Sequence, residues 1–101
     1  MVKYPIKVQR SNYRGNDPRK RQKAQQENQI ASELEGVIND MLLKQTDPIQ
    51  VYTYDEIAHK TGYPVERVTD LCFSIDYGHN GFTVIRHGMT YEEAMNTSKN
   101  H

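Results

Sequence analysis

The apolar positions of this 101-residue chain change period several times. Over residues 2–8 they alternate, with Val2, Tyr4, Ile6 and Val8 on one side and Lys3 and Lys7 on the other. That is the period of a strand with one buried face. Pro5 has no N–H for a ladder, so the segment is an edge strand or no strand. From Gln9 to Lys20 the residues are Ser, Asn, Gly, Asp, Pro and Arg, the composition of a linker. From about Arg19 to Lys44 the period becomes helical. Ile30, Leu34, Val37, Ile38, Met41 and Leu42 form one apolar stripe. The stretch before Ile30 has good helix formers and little to bury, so it is expected to project or fray. Thr46-Asp47-Pro48 closes the helix, because Pro disfavours helical geometry in its predecessor.

Ile49, Val51 and Tyr52 read as a short strand. Thr53-Tyr54-Asp55-Glu56 is a capping box, in which Thr and the Glu three residues on satisfy each other's amides. A helix is therefore expected from Tyr54 to about Lys60, burying Ile57 and Ala58. Gly62 suits the residue after its end, where positive φ is often needed. Pro64 suits the first turn of the next helix. Val65, Val68, Leu71, Cys72 and Ile75 keep a helical period there, with Glu66, Arg67, Thr69 and Asp70 facing out. Tyr77 to Gly81 is dense in turn residues, and Asn80-Gly81 is a hairpin signal ahead of the strand Phe82 to Ile85. A second capping box, Thr90 to Glu93, opens a short helix around Tyr91 to Met95. The last residues are expected to be a disordered tail.

Composition sharpens this picture. Hydrophobic residues make up 36% of the chain and mean hydropathy is −0.88, so part of the chain is expected to lie outside the core. The single cysteine, Cys72, rules out an internal disulfide and fits a reducing compartment. No apolar run approaches the roughly 20 residues of a membrane helix, and the N-terminus lacks a signal peptide's apolar stretch. A cytoplasmic protein is expected, nucleoid-associated if it binds DNA. The net charge of zero hides an asymmetry. Residues 1–23 hold eight basic residues against Asp17, a net +7, while residues 24–101 hold five against twelve acids, a net −7. A basic arm on an acidic body points to phosphate contacts. The alternatives are an arm folded back on its own acidic domain, or a soluble tail. The expected division is a flexible basic arm over 1–22, a folded domain over 23–96 and the tail over 97–101.

Ala58, Gly62 and Val68 give the span Tyr54 to Leu71 a resemblance to the helix-turn-helix superfamily. A small residue sits where two helices cross, a glycine in the tight turn, and an anchor on the second helix. The preceding strand, and the turn and strand that follow, resemble the winged type. The resemblance covers roughly residues 30–86. It implies a mainly α fold: three core helices with a short strand and a hairpin wing. It also implies a second helix lying in the major groove. Its outward residues are then Pro64, Glu66, Arg67, Thr69 and Asp70, with His79 and Asn80 at the wing tip and Arg86 beyond. Two acids beside one Arg depart from a DNA-reading helix, since carboxylates near phosphates repel. The arm compensates with Lys and Arg interleaved with Tyr4 and Tyr13.

Other chemistry is thin. Cys72, His79 and His87 lack compact zinc spacing, and Cys72 reads as a buried small hydrophobe. Asp55/Glu56 and Glu92/Glu93 sit at helix starts, where they favour the dipole. The glycines form no phosphate loop, and the tyrosines at 52, 54, 63, 77 and 91 read as core edges and interface. The expectation is a non-enzymatic DNA-binding protein without metal or cofactor, such as a small transcriptional regulator. Its contacts would come from Arg10, Arg14, Arg19, Lys20, Arg21, Lys23, Arg67, Thr69, His79, Asn80 and Arg86. The competing reading is a protein-interaction module that uses the acidic surface. The stripe from Ile30 to Leu42 is a candidate homodimer face.

Overall fold

A computed structural model describes residues 1–99. Among the described residues the protein is mainly helical, with four α-helices and a small three-stranded sheet. In chain order these are β1 (Val2–Lys3), α1 (Pro18–Leu43), β2 (Ile49–Thr53), α2 (Tyr54–Thr61), α3 (Val65–Cys72), β3 (Gly81–Ile85) and α4 (Tyr91–Lys99). A 3-10 turn, Phe73–Ile75, continues α3.

Helix α1 begins where Asp17 accepts a hydrogen bond from the Arg19 amide at 3.0 Å and Pro18 fills the first turn. Its 26 residues span about 39 Å. Ala31, Leu34, Ile38 and Leu42 are fully buried, while Ile30, Val37 and Met41 lie at the margin of the stripe. The helix stops at Lys44, just ahead of Thr46-Asp47-Pro48. Thr53 caps α2 by accepting from the Glu56 amide at 3.1 Å, and Gly62 closes it at φ 83°. In α3, Val68 and Cys72 are buried, and Ile57 of α2 packs into the same core.

The sheet differs from the expected one. Its order is β1-β3-β2: β3 runs antiparallel to β2 and parallel to β1, with Val2 opposite Val84. No strand precedes Gly81 to fold back on β3, so the 77–81 turn does not close a hairpin wing among the described residues. The place beside β3 is taken by the opposite end of the chain. The strand expected over 2–8 shrinks to Val2–Lys3, ending ahead of Pro5, the residue that cannot donate to a ladder. Its alternation survives all the same: Ile6 and Val8 are buried and Lys7 is exposed.

The segment expected as a flexible arm is docked over its first eleven residues. The Ile6, Val8 and Ser11 amides donate to Asn39 Oδ1, Glu35 Oε1 and Asn28 Oδ1 at 2.9, 3.0 and 2.7 Å. Asn39 and Asn28 also donate back to the Ile6 and Ser11 carbonyls. Residues 28, 35 and 39 recur at helical spacing beside the apolar stripe, so the arm lies antiparallel along α1. A boundary between 22 and 23 would therefore cut α1 and remove Ile6 and Val8 from the core.

At the other end, Thr90 and Glu93 form a reciprocal capping box, and α4 runs on to Lys99, past the expected end at Met95. Residues 97–99 of the expected tail are thus helical, while Asn100 and His101 lie outside the described residues. Ala94 is buried. The radius of gyration, 15.4 Å, exceeds the about 13 Å of a compact chain of this length.

Candidate nucleic-acid interface

The docked arm spends its backbone on α1 and leaves its charges almost untouched. Among the described residues two ion pairs form, Arg10 with Glu35 at 3.3 Å and the N-terminal amine with Asp76 at 3.5 Å. Arg10 also donates to the Val8 carbonyl, so its guanidinium is occupied in pinning the arm. The other seven basic residues of the segment, Lys3, Lys7, Arg14, Arg19, Lys20, Arg21 and Lys23, are exposed and in no ion pair.

Four of these, Arg19, Lys20, Arg21 and Lys23, stand on the first two turns of α1, whose first turn holds no acid. This is the wrong sign for the helix dipole, whose N-terminal end is positive and favours anions. The helix therefore presents a positive dipole end and clustered cations in one place, although Asp17 caps the Arg19 amide there. Tyr13 folds beside this group: its hydroxyl accepts from the Asp17 amide at 3.3 Å, and its ring shares a shallow hollow with Lys20 and Lys23.

The structure brings together some of the expected residues and separates others. Lys23 of α1 and Arg67 of α3 line one cleft of about 530 Å³, which Glu27, Glu66 and Asp70 also line. Two cations against three acids leave that cleft slightly negative. Thr69 meets His79 and Asn80 around a small hollow beside Asp55, but the Thr69 hydroxyl is spent on the Val65 carbonyl at 2.8 Å. Arg86 is exposed at the far end of β3, five residues from Gly81 and thus roughly 17 Å from the His79–Asn80 turn. It therefore does not join a wing. Pro64 stands at the N-cap of α3, and Glu66, Arg67 and Asp70 are exposed on it as the period indicates.

Buried ionisable groups take no part. Cys72 is fully buried, and burial pushes its thiol up to about 12. Burial also raises Tyr52 and Tyr54, whose hydroxyls donate to Gln45 and to the Gly78 carbonyl. Tyr63 is raised by its hydrogen bond to Glu33, which ties α2–α3 to α1. His87 packs its ring edge against Tyr4 at 4.8 Å. Among the described residues no three His, Cys, Asp or Glu side chains gather as a metal would need, and no helix is long and apolar enough to cross a membrane.

Asn28, Glu35 and Asn39, which position the arm, escape sequence reasoning. Their only trace is a polar stripe beside the apolar one. Compared with protein-family models, curated proteins and solved structures, the chain matches none.

Proposed function

We propose that the protein is a non-enzymatic nucleic-acid-binding protein that holds the phosphate backbone on the basic end of α1. The observation that carries this reading is the state of the basic segment over residues 1–23: its first eleven residues are fixed along α1, four of its cations stand on α1 itself, and seven of its eight cations are exposed and in no ion pair among the described residues. Fixed cations lose less entropy on binding than cations on a free tail. A polyanion would also relieve the repulsion between Arg19, Lys20, Arg21 and the α1 dipole. The order helix, strand, helix, helix, strand supports a winged-helix scaffold in which β1 stands in for the missing wing strand. A small transcriptional regulator acting on DNA is the setting this scaffold favours.

The test is a fluorescence-anisotropy titration with a random duplex over a salt series, for the wild-type chain and for Arg19→Gln/Lys20→Gln/Arg21→Gln. Binding that weakens alike for all sequences, with a salt slope flatter by up to about three units, supports the proposal. An unchanged slope sinks it.

A second reading has its own support. The outward face of α3 carries Glu66 and Asp70 around Arg67, and its cleft is net acidic, which suits a cationic protein partner better than a groove. Failure of the wild-type chain to bind any nucleic acid at low salt would favour that reading.

A further inference from the structure

We infer that the 73–77 turn, with Lys3 and Lys7 beside it, is a seat for unpaired bases of a single-stranded nucleic acid; this rests on the nucleic-acid reading above and gives it a second contact region. Phe73 and Tyr77 are 40% and 71% exposed, although both are large aromatic residues in a chain with a core to fill. They touch edge to face, with centroids 5.6 Å apart and planes at 89°. The His79 ring lies 6.5 Å from Phe73. Tyr77 sits at φ 53°, where a bulky residue is rare, held by its amide to the Phe73 carbonyl at 2.8 Å. The turn thus projects a small group of rings out of the fold.

The other side of the same turn supplies charge. Ser74 and Ile75 form one wall of a cleft of about 330 Å³ whose opposite wall is Lys3, Pro5 and Lys7, and no carboxylate lines it. Both lysines are exposed and, among the described residues, in no ion pair. Rings for stacking flanked by cations for the backbone are what sequence-tolerant binding of single strands requires. A duplex keeps its base faces stacked on one another, so these rings have nothing to receive from it. Asp70, one turn before Phe73, makes the α3 side of the rings repulsive to phosphate, while Asp76 on the turn is paired with the N-terminal amine at 3.5 Å. The strand's backbone is thereby assigned to the Lys3–Lys7 side.

The experiment compares a labelled 12-nucleotide single strand with the corresponding duplex, by anisotropy, on the full chain. Tyr77→Ala and Phe73→Ala are each expected to weaken single-strand binding about five-fold or more while leaving duplex binding unchanged. Tyr77→Phe keeps the ring and is expected to bind as wild type. Lys3→Gln/Lys7→Gln is expected to flatten the single-strand salt slope by about 1.4 units. Ring resonances of Tyr77 should shift on titrating the wild-type chain with the single strand, a readout that needs no variant. Ring variants that bind the single strand as wild type, or a wild-type chain that binds duplex alone, overturn this inference and leave the proposed function standing. Binding to neither strand form overturns both.

Discussion

Asn39 brackets the backbone of Ile6: its Oδ1 accepts the Ile6 amide at 2.9 Å and its Nδ2 donates to the Ile6 carbonyl at 3.2 Å. One side chain thus does for Ile6 what a neighbouring strand would do, and lets an extended segment end its ladder at Lys3 while staying satisfied beyond it. Asn28 repeats the arrangement on Ser11. Asn39→Leu leaves both backbone groups of Ile6 without a partner. A loss of about 1–3 kcal/mol is expected, read as a lower urea midpoint. Trypsin should then cleave earlier at Lys7 and Arg10. Cleavage at the wild-type rate would show that the bracket does not hold the arm.

The docked arm also changes what a shortened chain means. Ile6 and Val8 are 5% and 2% exposed. Each is worth about 1.5–3 kcal/mol of burial, against a total stability of about 5–15 kcal/mol for an ordinary domain. A chain starting at Gln22 is expected to unfold at markedly lower temperature than the full chain, or to lose cooperative melting. Equal melting curves would contradict the placement of these two side chains. Loss of nucleic-acid binding by the shortened chain would therefore reflect lost structure as well as lost charge, and the charge substitutions on α1 separate the two.

Gly81 opens β3 opposite Thr53, and a Cβ there would run into the Tyr52 carbonyl and come within 2.8 Å of the Thr53 Cα. These are backbone atoms of the paired strand and cannot swing aside. Gly81→Ala is expected to destabilise by about 1–3 kcal/mol or more in chemical denaturation. Gly36, with open space around its Cβ position, is the control. There Ala should stabilise α1 by about 0.5–1 kcal/mol.

Cys72 is buried, and its thiol is raised from 9.0 to about 12. The raised value means that the folded state favours the protonated thiol. Its contribution to stability is complete below about pH 9 and is lost as pH climbs from there toward 12. The expected slope is about 1.4 kcal/mol per pH unit in that window, on top of the tyrosines. At pH 8 the thiol should be inert to an aromatic disulfide reagent until denaturant unfolds the chain. Rapid labelling of the native protein would place Cys72 at the surface.

The local elements were legible because their causes are local. The stripe from Leu34 to Leu42, the Thr53 and Thr90 caps, Gly62 at positive φ and the inward face of α3 each follow from residues within a turn or two of one another. The charge asymmetry was equally plain. The partner of β3 was not. An Asn-Gly step announces a hairpin from two residues, but whether a strand precedes it depends on a segment whose helical period instead continued into the 3-10 turn Phe73–Ile75. The docking of the first eleven residues is illegible in the sequence for a related reason. Polar, linker-like residues between Gln9 and Asp17 say nothing about a side chain 17–33 positions away that accepts their neighbours' amides.

By itself the sequence determined the helices, their caps, the buried faces and the sorting of charge to opposite ends of the chain. All of these arise from short-range periodicity and backbone chemistry. Tertiary structure alone decided that β1 closes the sheet, that the first eleven residues are fixed along α1 with Arg10 on Glu35 and with Lys3 and Lys7 exposed, and that Arg86 parts from His79 and Asn80. It also decided that Phe73 and Tyr77 stand exposed on a turn whose Ser74 and Ile75 share a cleft with Lys3 and Lys7. Each of these is a pairing between distant segments, fixed by which buried amides and apolar side chains find partners once the chain has closed on itself.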